Sequence, residues 1–420
     1  MRIQKHVLNS FLLALGYGIV FHFIQYFFYR IQITHDFARY DSLMRWDALS
    51  YHSVAELGYI HTEGEGTNTA FWPLFPIIWR ITGLGAMSIS LLNIIFFSIG
   101  FAAFNTVYKI DAPTRLLWLT IPLFYLAWIP GADALFIMFT SLVLAGIHNR
   151  NHWLVRLAML GVALTKPAVL ILLPALLLME LLTSGKKHIF SALKVFLADH
   201  LIPALLGLLL FTVYQYRSVG IWFDFIRQRK LYGYYFRWPT FPLNSRFGPG
   251  ELWLDAAALF LCFIALVWIV RIVVAGFRKH AVAADRLFIL SCCYLVGAML
   301  FILFFNPTWE VNTTNVTGAY QLALATPFFW VLLYRFTYTG NYKVSDYFKV
   351  LLLTNIFWLL FEHYQHIRYV LYFNFASVLI IMYMLQANKR IQWMQTAIVV
   401  VNFILQVYMI QRYMMNIKTG

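Results

Sequence analysis

Residues 7–29 read VLNSFLLALGYGIVFHFIQYFFY, a run of 23 residues without a formal charge or a proline. At 1.5 Å of helical rise per residue, about 20 apolar residues cross the hydrocarbon of a bilayer, so this run predicts a membrane-spanning helix. Similar runs recur along all 420 residues, which are 61% hydrophobic and 12% charged, with a mean hydropathy of +0.71. A water-soluble domain has too little interior to hide that much apolar surface. The runs are also too long and continuous for the alternating strands of an outer-membrane barrel. The chain therefore reads as an all-α, polytopic helical membrane protein forming one domain over 1–420.

Working outward from the first span, Arg2 and Lys5 place its start in the cytoplasm, and the absence of a small-residue cleavage site marks it as retained. A first external loop follows over 30–86. Leu43, Trp46, Leu49, Val54 and Leu57 recur at helical spacing, so a helix over 42–57 is expected, capped by Asp41 or Ser42 and stopped by Gly58. Residues 62–68, with Glu63, Gly64, Glu65 and Gly66, read as a polar loop, and 71–84 as a second short helix.

Further spans are expected at 87–108, 196–216, 252–274, 287–305 and 319–333, then 347–361, 369–386 and 391–411. Runs 116–129 and 134–147 are too short to cross alone, so they read as paired half-helices joined at 130–133. Segment 157–182 is flanked by Arg150 and Arg156 on one side and Lys186, Lys187 and Lys194 on the other, and is broken at Lys166-Pro167. It rises, breaks and returns, or it is one kinked helix. Arg278, Lys279 and His280, and later Lys389-Arg390, mark cytoplasmic turns. The total is about 11–13 spans or half-spans. A second external loop runs over 217–251, and 306–310 turns on the outside.

The net charge of +15 follows from basic cytoplasmic loops and anionic headgroups, and no nucleic-acid-binding pattern accompanies it. Aromatic residues, 19% of the chain, supply interfacial belts and the lining of a lipid groove. Cys262, Cys292 and Cys293 lie inside apolar runs and read as small buried hydrophobes. The sequons at Asn312 and Asn315 are incidental. His363 and His366 with Glu362 form too small a set for a metal site.

Asp47 is the acid singled out for chemistry. A carboxylate at a membrane surface can take the proton of a sugar hydroxyl and make it a nucleophile. Trp46 and Tyr51 beside it offer flat faces for a sugar or an isoprenoid. Asp133 lies at the tip between the two half-helices, where an acid in a membrane is functional by default. It can bind a sugar, hold a cation or pair with Lys166.

The run RWDALSYHSVAELGY over 45–59, followed by NTAFWPLFP over 68–76, resembles the GPI mannosyltransferase II (PIG-V) family and its bacterial relatives. That family carries a Trp-Asp, an Ile/Val-Ala before a Gly-Tyr, and an Ala-Phe-Phe-Pro-x-x-Pro; here Trp72 stands for the second Phe. PGADALF over 130–136 and LTKP over 164–167 are weaker matches, with Lys166 where many relatives have Arg, and the C-terminal third matches only in hydropathy.

The resemblance implies a GT-C type glycosyltransferase: a membrane enzyme with a catalytic acid in its first external loop. Such enzymes take a sugar, here mannose, from a polyprenyl-phosphate-linked donor with inversion, and hand it to a lipid-linked or cell-surface glycan acceptor. It makes Asp47 the base. Arg45, Lys166, Arg237 and Arg246 become candidates for the leaving phosphate, and Trp46, Tyr51, Asp133, Tyr59, Phe71 and Trp72 for substrate contacts. No carboxylate cluster requires a metal, and dependence on a divalent cation is left open. The expected location is a bacterial cytoplasmic membrane with the site facing outward. Two other classes stay open: a flippase for lipid-linked glycans, and a non-catalytic subunit that grips a lipid phosphate.

Overall fold

The computed structural model describes residues 5–62, 67–184, 188–246, 248–277, 285–305, 313–338, 340–364, 366–387 and 392–415. The expected features at Glu63 to Gly66, Lys186, Lys187, 278–280, 306–310, Asn312, Lys389 and Arg390 lie outside the described residues. Among the described residues the chain is all-α apart from one two-residue strand pairing and an isolated bridge between Leu243 and Phe361. Among the described residues, seven helices are long and apolar enough to cross a membrane, or eight if one bent pair counts as a span. This is the build of a multi-pass membrane protein.

In chain order the helices are α1 (Lys5–Arg30), α2 (Tyr40–Leu43), α3 (Asp47–Leu57), α4 (Leu74–Thr82), α5 (Ala86–Val107) and α6 (Ala112–Leu119). Then come α7 (Asp133–His148), α8 (His152–Thr165), α9 (Val169–Ser184), α10 (Ile189–Val195), α11 (Ile202–Val219) and α12 (Asp224–Leu231). The last are α13 (Pro249–Phe277), α14 (Arg286–Phe304), α15 (Ala319–Ala323), α16 (Pro327–Tyr338), α17 (Val344–Trp358), α18 (Ile367–Ala387) and α19 (Gln392–Met414). A π-helical turn over Phe196–Leu201 joins α10 to α11 into one span. The expected span at 319–333 is instead broken, because Pro327 cannot continue α15 and opens α16.

Backbone contacts gather the chain into two compact units, where the sequence reads as one domain. The first holds Met1–Leu170, Lys194–Tyr232 and Asn402–Thr419; the second holds Ile171–Leu193 and Gly233–Val401.

In the first unit, α1 buries Ser10, Ala14, Gly18, Phe21, His22 and Gln25, one stripe at helical spacing. Its other face, with Phe23 and Phe27, is exposed, as suits a lipid-facing helix. α5 packs against both α1 and α7. Contact with α7 is close because Gly100 has no side chain: a Cβ there would lie 2.9 Å from Met138 Cα. A 3-10 stretch, Pro122–Trp128, meets α7 at a bend of 106°, the broken pair expected at 116–147.

In the second unit, α13 packs on α14, and α14 on α16. Arg286 and Glu180 form an ion pair at 2.5 Å. Leu243–Asn244 pairs in parallel with Thr314–Asn315. All three cysteines are buried and unbridged.

Replacing Gly100 by Val forces α5 away from α7 backbone that cannot yield. Overpacking of this kind costs about 1–3 kcal/mol. The variant's thermal unfolding midpoint in detergent should fall, while a matched change at the open Gly16 should not.

Candidate active site at the first loop

The helix expected over 42–57 is broken in two. Ser42 spends its hydroxyl locally, donating to Phe37 O at 2.6 Å and accepting from Arg39 N at 3.0 Å, so α2 ends after one turn. The chain then reverses: Ala48 N donates to Arg45 O at 3.0 Å, across Trp46 at φ 49° and ψ −123°. Those angles belong to the first central position of a type II′ turn, where glycine is the favoured residue. A tryptophan there is strained by about 1–3 kcal/mol. Tyr413 Oη supports the turn from α19, 2.9 Å from Leu43 O and 3.1 Å from Arg45 O.

Asp47 is therefore the first residue of α3, and its side chain is exposed. The positive end of the helix dipole favours a negative charge at that position. Tyr51 lies one turn along the same face. Its ring sits edge-on to Phe71 and Phe75, with centroids 5.1 and 5.2 Å away. Burial pushes the Tyr51 hydroxyl well above the usual phenol range; the charges of Asp47 and Asp133 push it further, and Arg229 opposes them. Three segments thus bring their charges to bear on one buried hydroxyl: the start of α3, the start of α7, and α12.

Asp133 opens α7 just after the bend, and Asn93 Nδ2 donates to Ile129 O at 2.7 Å and Gly131 O at 3.0 Å to hold the tip. Lys166 ends α8 as its C-cap, and its Nζ lies 2.5 Å from Asp133 Oδ1. Both side chains are mostly buried, at 19% and 11% exposure. Of the three roles open to Asp133, the structure shows the pairing. Arg45 is half-buried, and its Nε has no hydrogen-bond partner among the described residues.

The aromatic residues of the loop are placed differently from one another. Trp46 is half-exposed beside Asp47. Tyr59 and Trp72 are buried together with Val54, Phe211 and Phe225. Tyr59 Oη donates to Phe71 O at 2.7 Å, and Trp72 Nε1 donates to Ala163 O at 2.6 Å. These two side chains hold the loop onto α8 and α11, and Phe71 lends its carbonyl to the same task.

Arg237 and Arg246 belong to the second unit. The Arg237 guanidinium lies 3.9 Å from the centroid of Tyr235, and Arg246 N donates to Thr317 Oγ1 at 2.8 Å. The rings of His363 and His366 are 6.2 Å apart. Among the described residues, no three His, Cys, Asp or Glu side chains gather as a metal site.

Sequence reasoning missed α12. Arg229, on this helix, acts on both Tyr51 and Tyr232. Asp224 and Gln228, four residues apart on its buried face, fasten it to residues 61–69 of the first loop. The spacing of these two polar residues is the only sequence signal, and it reads equally well as solvated loop.

No family model, no curated protein and no solved structure matches this chain.

Replacing Asp133 by Asn leaves the Lys166 ammonium buried without its counter-charge. Breaking such a pair from one side should destabilise the protein by about 3 kcal/mol, and adding Lys166→Met should recover most of the loss. Thermal unfolding of the single and double variants in detergent tests both.

Proposed function

We propose that this chain is an inverting membrane glycosyltransferase of the GT-C type. It moves a hexose, mannose by its resemblance to the PIG-V family, from a polyprenyl-phosphate-linked donor to a lipid-linked or cell-surface glycan. Its setting is a bacterial cytoplasmic membrane, with the first loop facing outward and lipid supplying the donor. One observation carries the reading. An exposed carboxylate, Asp47, is fixed at a helix start by a strained turn, and its charge is felt at Tyr51 together with those of Arg229 and Asp133.

The chemistry needs a base on the acceptor side and positive charge at the leaving phosphate. Asp47 takes the proton of the acceptor hydroxyl as that oxygen bonds to the anomeric carbon. The bond from that carbon to the phosphate oxygen breaks, and polyprenyl phosphate leaves with the electron pair. Arg45, two residues before Asp47, and Arg229, whose charge bears on Tyr51, are the cations we assign to receive it. Lys166 already balances Asp133 and serves the phosphate only by leaving that pair.

A second reading has its own support. The bent helix pair and the buried Asp133–Lys166 pair are features that a flippase of lipid-linked glycans would use at depth. The exposed acid on the loop is not one of them.

Membranes bearing the chain, given a labelled polyprenyl-phosphate-mannose donor, should transfer sugar. Asp47→Asn should lower the rate by about 10²-fold or more, the usual worth of a general base. Equal rates in both would remove Asp47 as the base. Movement of labelled glycolipid across the membrane without transfer, retained in Asp47→Asn, would favour the flippase.

A further inference from the structure

Beside Asp47 the first unit holds a second arrangement that the proposed chemistry does not use. His61, on the first loop, and Asp224, at the start of α12, face one another, with His61 Nδ1 3.1 Å from Asp224 Oδ2. Asp224 is fully buried. The same Oδ2 accepts the Thr69 hydroxyl at 2.6 Å. A carboxylate oxygen accepts, so the tautomer that bonds across this contact is the one with its hydrogen on Nδ1. Gln228 Nε2 lies 3.4 Å from that nitrogen, which in this tautomer cannot also accept from it. Gln228 instead accepts from Thr67 N at 3.0 Å through Oε1. Gln215, on α11, completes the cluster by donating to Thr69 O at 2.6 Å.

Two atoms of this cluster are left over. His61 Nε2 and Asp224 Oδ1 are buried and have no hydrogen-bond partner among the described residues. A cluster built for stability alone would be expected to satisfy its polar atoms. A carboxylate that fixes the tautomer and orientation of an imidazole is, in contrast, a recurrent device of sites that need geometric precision.

The cluster also has a lever. α12 is only eight residues long, and it carries Asp224 and Gln228 on one face with Arg229 and Tyr232 at its far end. Asp47 and Arg229 act in opposite senses on the Tyr232 hydroxyl, which burial and Asp47 raise above its ordinary value. Tyr232 Oη also lies 3.4 Å from Thr67 O, so the clasp on Thr67 and Thr69 decides where that end of α12 stands against the first loop.

We infer that His61 and Asp224 are positioning residues of the transfer site: their hydrogen-bonded pair locks α12 onto the first loop and so fixes Arg229 and Tyr232 against the loop that carries Asp47. The inference rests on the glycosyltransferase reading for its activity readout, but not for its tautomer.

The test uses the full chain in detergent, labelled with ¹⁵N-histidine, with His61 assigned by difference from His61→Gln. Wild type should show His61 with hydrogen on Nδ1, and Asp224→Asn should lose that preference. In transfer assays Asp224→Asn and His61→Phe should lower kcat by about 10–100-fold, the usual cost of removing an orienting partner. The donor KM should barely move, because the lost alignment matters in the transition state. His61→Gln keeps an N–H toward Asp224 and should regain part of the rate. Thermal unfolding must show each variant folded. A hydrogen on Nε2 in wild type, or folded Asp224→Asn with wild-type kcat, overturns the inference. Absence of transfer by wild type overturns the enzymatic reading and this inference's catalytic half together, whereas transfer by wild type and variants alike overturns the inference alone.

Discussion

A helix that ends inside a protein leaves carbonyl oxygens with no water to donate to them, and the first unit supplies several of them with donors. Gln406 Nε2 donates to Leu119 O and Ile121 O at 2.9 and 2.8 Å, where α6 ends. Ser90 takes Trp128 O, and Asn93 takes Ile129 O and Gly131 O, around the bend before α7. Trp72 takes Ala163 O near the end of α8. An unmet buried carbonyl costs about 1–3 kcal/mol, so several unmet together would unfold the breaks. Because each is met, the chain can end α6 and α8 inside the protein. Those ends are what place Asp133 and Lys166 within reach of one another.

The same constraint explains why the site is assembled from distant segments. A continuous helix satisfies its own backbone but presents its side chains in fixed order along one rod. Broken helices and a structured loop present theirs from several directions. Asp47, Asp133 and Arg229 are 86 and 96 positions apart along the chain, yet all three bear on the Tyr51 hydroxyl. Tyr51 itself, held neutral by its burial, can donate a hydrogen bond at any pH a cell reaches. Trp46 bears the cost of aiming the loop: a glycine at its turn would relax the backbone but remove the aromatic face beside Asp47.

Much of the fold was legible because hydropathy and length carry it. The first span, the half-helices around 130–133 and the break at Lys166 all follow from apolar run length, proline and the placing of charge. The break between α2 and α3 was not legible, since Leu43, Trp46 and Leu49 keep helical spacing straight through it. A serine that bonds back to Phe37 and a turn that a tryptophan does not favour are settled by tertiary contacts, chiefly Tyr413, some 370 residues away. The site divides in the same way. Asp47 stands out as a loop acid and Asp133 as an acid at depth. Arg229 looks like one cation among several in a basic, aromatic loop, and its effect on Tyr51 emerges only once Asp224 and Gln228 seat α12 on Thr69 and Thr67. Arg237 and Arg246, from the same stretch of sequence, belong to the other unit.

The run that carries the resemblance can be divided by what its residues touch. Asn68 accepts from Ile60 N at 2.9 Å and donates to Ser53 Oγ and Gly58 O at 3.0 Å each. Gly58 takes a φ of 79° that a side chain would strain. Tyr59, Trp72 and Phe75 are buried packing, and Pro73 and Pro76 shape the entry to α4. Most of the run therefore encodes how the loop folds, and few of its residues are free to meet a substrate. Its exposed carboxylates are Asp47, at the start of α3, and Glu56, which lies 3.3 Å from His52 Nε2 one turn back along the same helix. A likeness in this run is thus first a likeness of loop architecture, which different chemistries can share. The proposed glycosyl transfer rests instead on the acid that this architecture holds out at the start of α3, and on Arg229 of α12, from outside the run, whose charge bears with it on Tyr51.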